Sequence, residues 1–100
     1  MGKDIQEAVN KIVKEYGPVR QVILFGSRVR GDSDEHSDAD FIVIKETDES
    51  FVRRMVNLPA LPIPADVFVY TPAEFEAMKE GENPFIMHAL QNSRTVYSQN

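Results

Sequence analysis

The chain has 100 residues, 11 Lys+Arg against 16 Asp+Glu, a formal net charge of −5 and no cysteine. The length is that of one small domain spanning residues 1–100, because two independent cores would each have to form below about 50 residues. The acid excess argues against an extensive nucleic-acid footprint, and the missing cysteines exclude disulfides, thiolate metal sites and thiol nucleophiles. Phosphate chemistry stays open, since a metal ion can bring the positive charge the chain lacks. The longest apolar runs, Val22–Phe25 and Phe41–Ile44, are far shorter than the ~20 residues of a spanning helix. The N-terminus has no signal-peptide core, and Gln6 stands where myristoylation wants Ser or Thr. A cytoplasmic protein with no membrane segment is expected.

In chain order, Ile5, Val9, Ile12, Val13 and Tyr16 recur at helical spacing. They predict an amphipathic helix over Lys3 to Tyr16, stopped by Gly17-Pro18. Val19 to Phe25 reads as a strand, Gly26 to Ser37 as a turn-forming segment and Asp40 to Ile44 as a second strand. Thr47 or Asp48 is expected to cap a helix whose stripe is Phe51, Val52, Met55 and Val56. Three prolines between Leu58 and Pro64 demand an extended connector, followed by a third strand over Asp66 to Tyr70. Thr71-Pro72-Ala73-Glu74 has the form of a capping box, opening a helix that ends near Gly81. Asn83-Pro84 starts another helix, running to about Gln91, and Arg94 to Tyr97 reads as a last short strand. One sheet covered by helices is the architecture this order favours.

The chemistry concentrates between Gly26 and Ile44. Gly26 lets the backbone turn tightly and a ligand approach closely. Ser27 offers a hydroxyl and an N–H at a strand end, where phosphate oxygens are commonly held. Asp38 and Asp40 are two apart, so an extended chain puts both on one face, roughly 7 Å apart. Like charges so placed are best tolerated with a hard divalent cation between them. Asp66 opens the third strand with Phe68 and Tyr70 on its face, and completes a three-carboxylate set suited to one or two Mg²⁺ and displacement at phosphorus. The plainer readings are a solvated acidic loop for Asp38 and Asp40, a simple cap for Ser27 and a turn residue for Asp66. Arg28 and Arg30 are phosphate contacts or ordinary surface arginines. His36 reads as a solvated loop residue and His88 as structural.

Gly26-Ser27, then Arg30-Gly31, then Ser37-Asp38-Ala39-Asp40 with an apolar strand behind it, resemble the signature of the DNA polymerase β-like nucleotidyltransferase superfamily. The spacing Gly-Ser, ten residues, Asp-x-Asp is matched with residues 28–37 as the ten. More narrowly, the chain resembles the minimal nucleotidyltransferases, small proteins often paired with a HEPN-domain protein as antitoxin and toxin. The resemblance covers nearly the whole chain.

It implies an α/β (α+β-like) fold, a mixed sheet of three to four strands flanked by helices as in a polymerase β palm. It implies that Gly26 and Ser27 hold the triphosphate of ATP or another NTP. Asp38 and Asp40 would bind Mg²⁺, and Asp66 would complete the metal site and help deprotonate the attacking hydroxyl. The implied reaction is transfer of NMP, with AMP from ATP in the toxin–antitoxin subgroup, where the acceptor can be a tyrosine of the HEPN toxin. Larger members add a second domain, so this length raises the expectation of an open pocket or a partner-supplied wall, in an oligomer or hetero-oligomer. Phe75, Met78, Phe85 and Met87 are candidates for such a surface, with core packing the alternative. Two other functions compete: a non-catalytic binding module that neutralises its partner by occlusion, and a modifier of RNA 3′ ends or small molecules.

Overall fold

The computed structural model describes residues 2–30 and 38–99, without the side chains of Ser27 and Arg30. The first helix, α1 (Lys3–Tyr16), spans the predicted range, and its stripe of Ile5, Val9, Ile12 and Tyr16 is buried with Ala8. It stops at Gly17, where an added Cβ would lie 2.7 Å from the Val13 carbonyl oxygen. Strand β1 (Gln21–Phe25) follows, two residues shorter than expected at its start. Val19 is still buried, and Arg20 still donates to the Ile44 carbonyl at 2.8 Å, outside the regular ladder.

The segment after Gly26 was expected to be a turn, but it begins with a short helix, α2 (Ser27–Arg30). Four residues carry no periodic signal, so such a helix is invisible to pattern reading. Strand β2 (Ala39–Ile44) leads to α3 (Phe51–Val56). Its cap is Ser50, whose hydroxyl accepts from the Arg53 N–H, and not Thr47 or Asp48. Thr47 instead accepts from the Glu49 N–H at 3.1 Å. Strand β3 (Ala65–Tyr70) comes after the proline-rich connector. Then α4 (Pro72–Glu80) starts with the predicted capping box, Thr71 and Glu74 each satisfying the other's backbone N–H. Helix α5 (Pro84–Gln91) is capped by Asn83, and β4 (Ser93–Ser98) closes the order.

The four strands form a mixed sheet in the order β3-β2-β1-β4. β1 runs antiparallel to both β2 and β4, with a bulge in the β4 pairing between Val22 and Ile23. β2 and β3 are parallel and in register from Ala39–Ala65 to Ile44–Tyr70. Parallel neighbours cannot share a hairpin, so the chain crosses over between them through α3 and the connector.

Strand alternation divides the core in two. Val22, Leu24, Phe41, Val43, Val67 and Val69 pack with α1. Ile23, Phe25, Ile42 and Ile44 pack with Phe75, Ile86 and Ala89 of α4 and α5. The partner-surface expectation for Phe75, Met78 and Met87 therefore gives way to core packing, because all three pack within or against this second cluster. Phe85 is 38% exposed. No described helix is long and apolar enough to cross a membrane.

Candidate active site

One end of the sheet collects the residues singled out for chemistry. β1 ends there, and β2, β3 and β4 begin there: Phe25 lies opposite Asp40 on one side and Ser93 on the other. Asp40 in turn lies beside Asp66 in the parallel register. Two backbone bonds tie this end together, from the Gly26 N–H to the Asn92 carbonyl (3.2 Å) and from the Ala39 N–H to the Pro64 carbonyl (3.1 Å). Since side chains alternate, Asp40 shares a face with Ile42 and Ile44, and Asp66 shares it with Phe68 and Tyr70. That is the face covered by α4 and α5.

The three acids have different surroundings. Asp66 and Asp38 are exposed, whereas Asp40 is half-buried. Burial raises the Asp40 carboxyl above its ordinary value, and the charges of Asp66 and then Asp38 raise it further. Asp40 therefore feels the charge of both other carboxylates at this end of the sheet. Gly26 packs directly on Asp40: it has φ +86°, and an added Cβ would stand 2.7 Å from the Asp40 Oδ2. Only glycine satisfies both the backbone angle and the contact.

These residues fit a hard divalent cation in chemistry, offering carboxylate oxygens from three positions. Among the described residues no three carboxylate or imidazole groups are drawn in closely enough to hold an ion as they stand. Asp38, Asp40 and Asp66 lie at one end of the sheet, with Gly26 against Asp40.

The other candidates fall differently. The Ser27 and Arg30 side chains, Gly31 and His36 lie outside the described residues. Arg28 donates to the Asp4 carboxylate of α1 at 2.7 Å, with its own side chain largely buried. That hydrogen bond lowers the Asp4 carboxyl below its ordinary range. His88 is exposed on α5.

Two features next to the acids were missed by the reading of the sequence. The first is an aromatic cluster. Phe25 and Phe68 have ring centroids 6.3 Å apart, and Phe85 stands 5.8 Å from Phe25 and 5.0 Å from Phe68. Phe25 directly precedes Gly26, and Phe68 lies two residues after Asp66, so two of the three were detectable by position. The second is an open cleft of about 320 Å³ at the connector, lined by Met55, Leu58, Leu61 and Ile63 and bordered by Asp66.

Comparison with known proteins agrees with this geometry. Residues 7–100 match the family model described as polymerase beta, nucleotidyltransferase. A Methanocaldococcus jannaschii protein named "Putative protein adenylyltransferase" is 41% identical over 96 residues, covering 95% of this chain and 96% of the relative. Two solved structures share the fold. A crystal structure described as a toxin-antitoxin with AMP-PNP superposes with TM-score 0.64 at 11% identity, over 99% of this chain and 76% of that one. A Sulfolobus solfataricus protein described as a "putative nucleotidyltransferase" superposes with TM-score 0.58 at 21% identity, over 99% and 91%. The acids at the sheet end, the family match across nearly the full length and the near-complete relative lead to one conclusion: this chain is a nucleotidyltransferase, a member of the polymerase beta family.

Proposed function

We propose that the chain transfers AMP from magnesium-bound ATP to a protein hydroxyl, a tyrosine of a HEPN-type toxin for which it is the cytoplasmic antitoxin. The observation that carries this reading is the in-register pair of Asp40 and Asp66, with Asp38 close enough to perturb Asp40. The relative named as a protein adenylyltransferase supports AMP and a protein acceptor. The fold neighbour described as a toxin-antitoxin with AMP-PNP supports the nucleotide and the partner.

In this reading Asp38 and Asp40 hold the metal, with Asp66 completing the set. When bound, Mg²⁺ supplies the positive charge that draws in the triphosphate and stabilises the departing pyrophosphate. Gly26 keeps the surface beside Asp40 free of a side chain, so phosphate oxygens can approach. Ser27 and Arg30 would contact those oxygens, as the family pattern implies, while Arg28 is engaged by Asp4. Asp66 accepts the proton of the acceptor hydroxyl. The acceptor oxygen bonds to the α-phosphorus as the bond from that phosphorus to the pyrophosphate oxygen breaks.

The test uses ATP labelled on the α-phosphate and the cognate partner. Wild type is expected to label the partner on tyrosine, located by mass spectrometry. Asp38→Ala/Asp40→Ala should lose at least about 100-fold in rate, because several kcal/mol of charge stabilisation goes with the metal. EDTA should abolish labelling and added Mg²⁺ restore it. Equal labelling by wild type and the double variant would defeat the catalytic reading. Label found on RNA 3′ ends and not on protein would defeat the acceptor.

A further inference from the structure

Three aromatic rings, Phe25, Phe68 and Phe85, cluster beside the acids. Phe25 is the cross-strand neighbour of Asp40, and Phe68 follows Asp66 on the same face. Both rings are covered from the α5 side by Phe85, which meets Phe25 edge-on at 85° and Phe68 at 59°. Phe25 is buried, yet Phe85 keeps 38% of its surface exposed. Burying that remaining surface against a ligand would be favourable. Phe25 lies in the same cross-strand row as Asp40, and Phe68 one same-face row beyond Asp66, about 7 Å along the strand. That matches the reach from the α-phosphate of a nucleotide, across its ribose, to its base.

We propose that exposed Phe85, backed by Phe25 and Phe68, is the surface on which the base of the donor nucleotide stacks. The inference rests on the nucleoside triphosphate donor proposed above, but not on the acceptor. A ring offers its face to any base, so the platform supplies affinity more than discrimination between bases. It would give a chain of this size a base subsite of its own. Phe85 acts here by binding: it touches the base, not the reacting atoms.

The chain has no tryptophan, so Phe85→Trp makes a single fluorescent reporter. Its emission is titrated with Mg-ATP and, separately, with magnesium tripolyphosphate, which has the phosphates without a base. Quenching by Mg-ATP and not by tripolyphosphate is expected. Phe85→Ala should weaken Mg-ATP binding about 5- to 100-fold by calorimetry, while leaving tripolyphosphate binding unchanged. Phe85→Tyr should retain wild-type affinity. Thermal melts of each variant show whether it is folded, and Phe85→Leu serves in place of Phe85→Ala if the latter melts early.

Equal responses to ATP and tripolyphosphate, or wild-type ATP affinity in the folded Phe85→Ala or Phe85→Leu protein, would overturn the stacking site alone. Failure of the wild-type chain to bind Mg-ATP at all would overturn the donor and the stacking site together. A Phe85→Ala protein that binds ATP normally but no longer binds its protein partner would assign the ring to the partner interface instead.

Discussion

Helices α1 and α3 carry similar apolar stripes and turn them in opposite directions. In α1 the stripe of Ile5, Val9, Ile12 and Tyr16 is sealed against the sheet. In α3 the stripe is turned outward, with Val52 and Val56 about 70% exposed and Phe51 and Met55 near 40%. The buried member of α3 is Arg54. Its guanidinium holds both Glu74 oxygens, at 2.7 and 3.1 Å, and donates to the carbonyls of Val69 and Glu49. A charge can take the inner side of a short helix when that many acceptors meet it. Amphipathic period therefore marks a stripe, and the tertiary supply of partners decides whether the stripe or its opposite faces inward.

The sharpest break of this contrast is Arg54→Ala. It takes a donor from the Val69 and Glu49 carbonyls and leaves Glu74 only the Thr71 N–H, and should cost about 3–5 kcal/mol in urea unfolding. Ile12→Ala, at a fully buried position of α1, should cost about 2–5 kcal/mol. Tyr16 joins the two helices, its hydroxyl donating to the Arg54 carbonyl at 2.9 Å. Tyr16→Phe strands that carbonyl, for about 1–3 kcal/mol. Val52→Ser and Val56→Ser should stay within about 0.5 kcal/mol, since those side chains are already in water. A loss above 2 kcal/mol at Val52 would show that the α3 stripe is covered in solution.

The Arg54–Glu74 pair also has a pH signature. The hydrogen bond from Arg54, opposed in part by burial, holds the Glu74 carboxyl below its ordinary 4.5. The folded state thus favours the charged form. The pair's contribution is complete above the unfolded value and is lost as pH falls through the lower folded value. Glu74→Gln should flatten that part of the acid limb in melts between pH 5 and 3, a change smaller than any core substitution because Glu74 is 44% exposed.

Local signals were legible in the sequence, and relations between distant residues were not. The stripe and stop of α1 and the capping box of α4 lie within single turns, and the structure has them at those places. Asp38, Asp40 and Asp66 stood out because acids at the mouths of apolar strands need a reason. Ser50 was passed over as the α3 cap because Thr47 and Asp48 are equally good caps, and only the chain path chooses among them. The inversion of α3 depends on Glu74, twenty residues downstream, and the aromatic cluster on α5 folding back over β1 and β3. No window of neighbouring residues contains either fact.

The parallel register of β2 and β3 makes the site a reporter of folding. Asp40 and Asp66 become neighbours only once the crossover through α3 and the connector has closed. An unfolded chain offers the same acids far apart. An ion bound by both would favour the closed chain by mass action, about 2.7 kcal/mol at a hundredfold excess over its dissociation constant. The ligand would then clamp an edge strand to its sheet, and the loss of either acid would be felt in thermal stability as well as in rate.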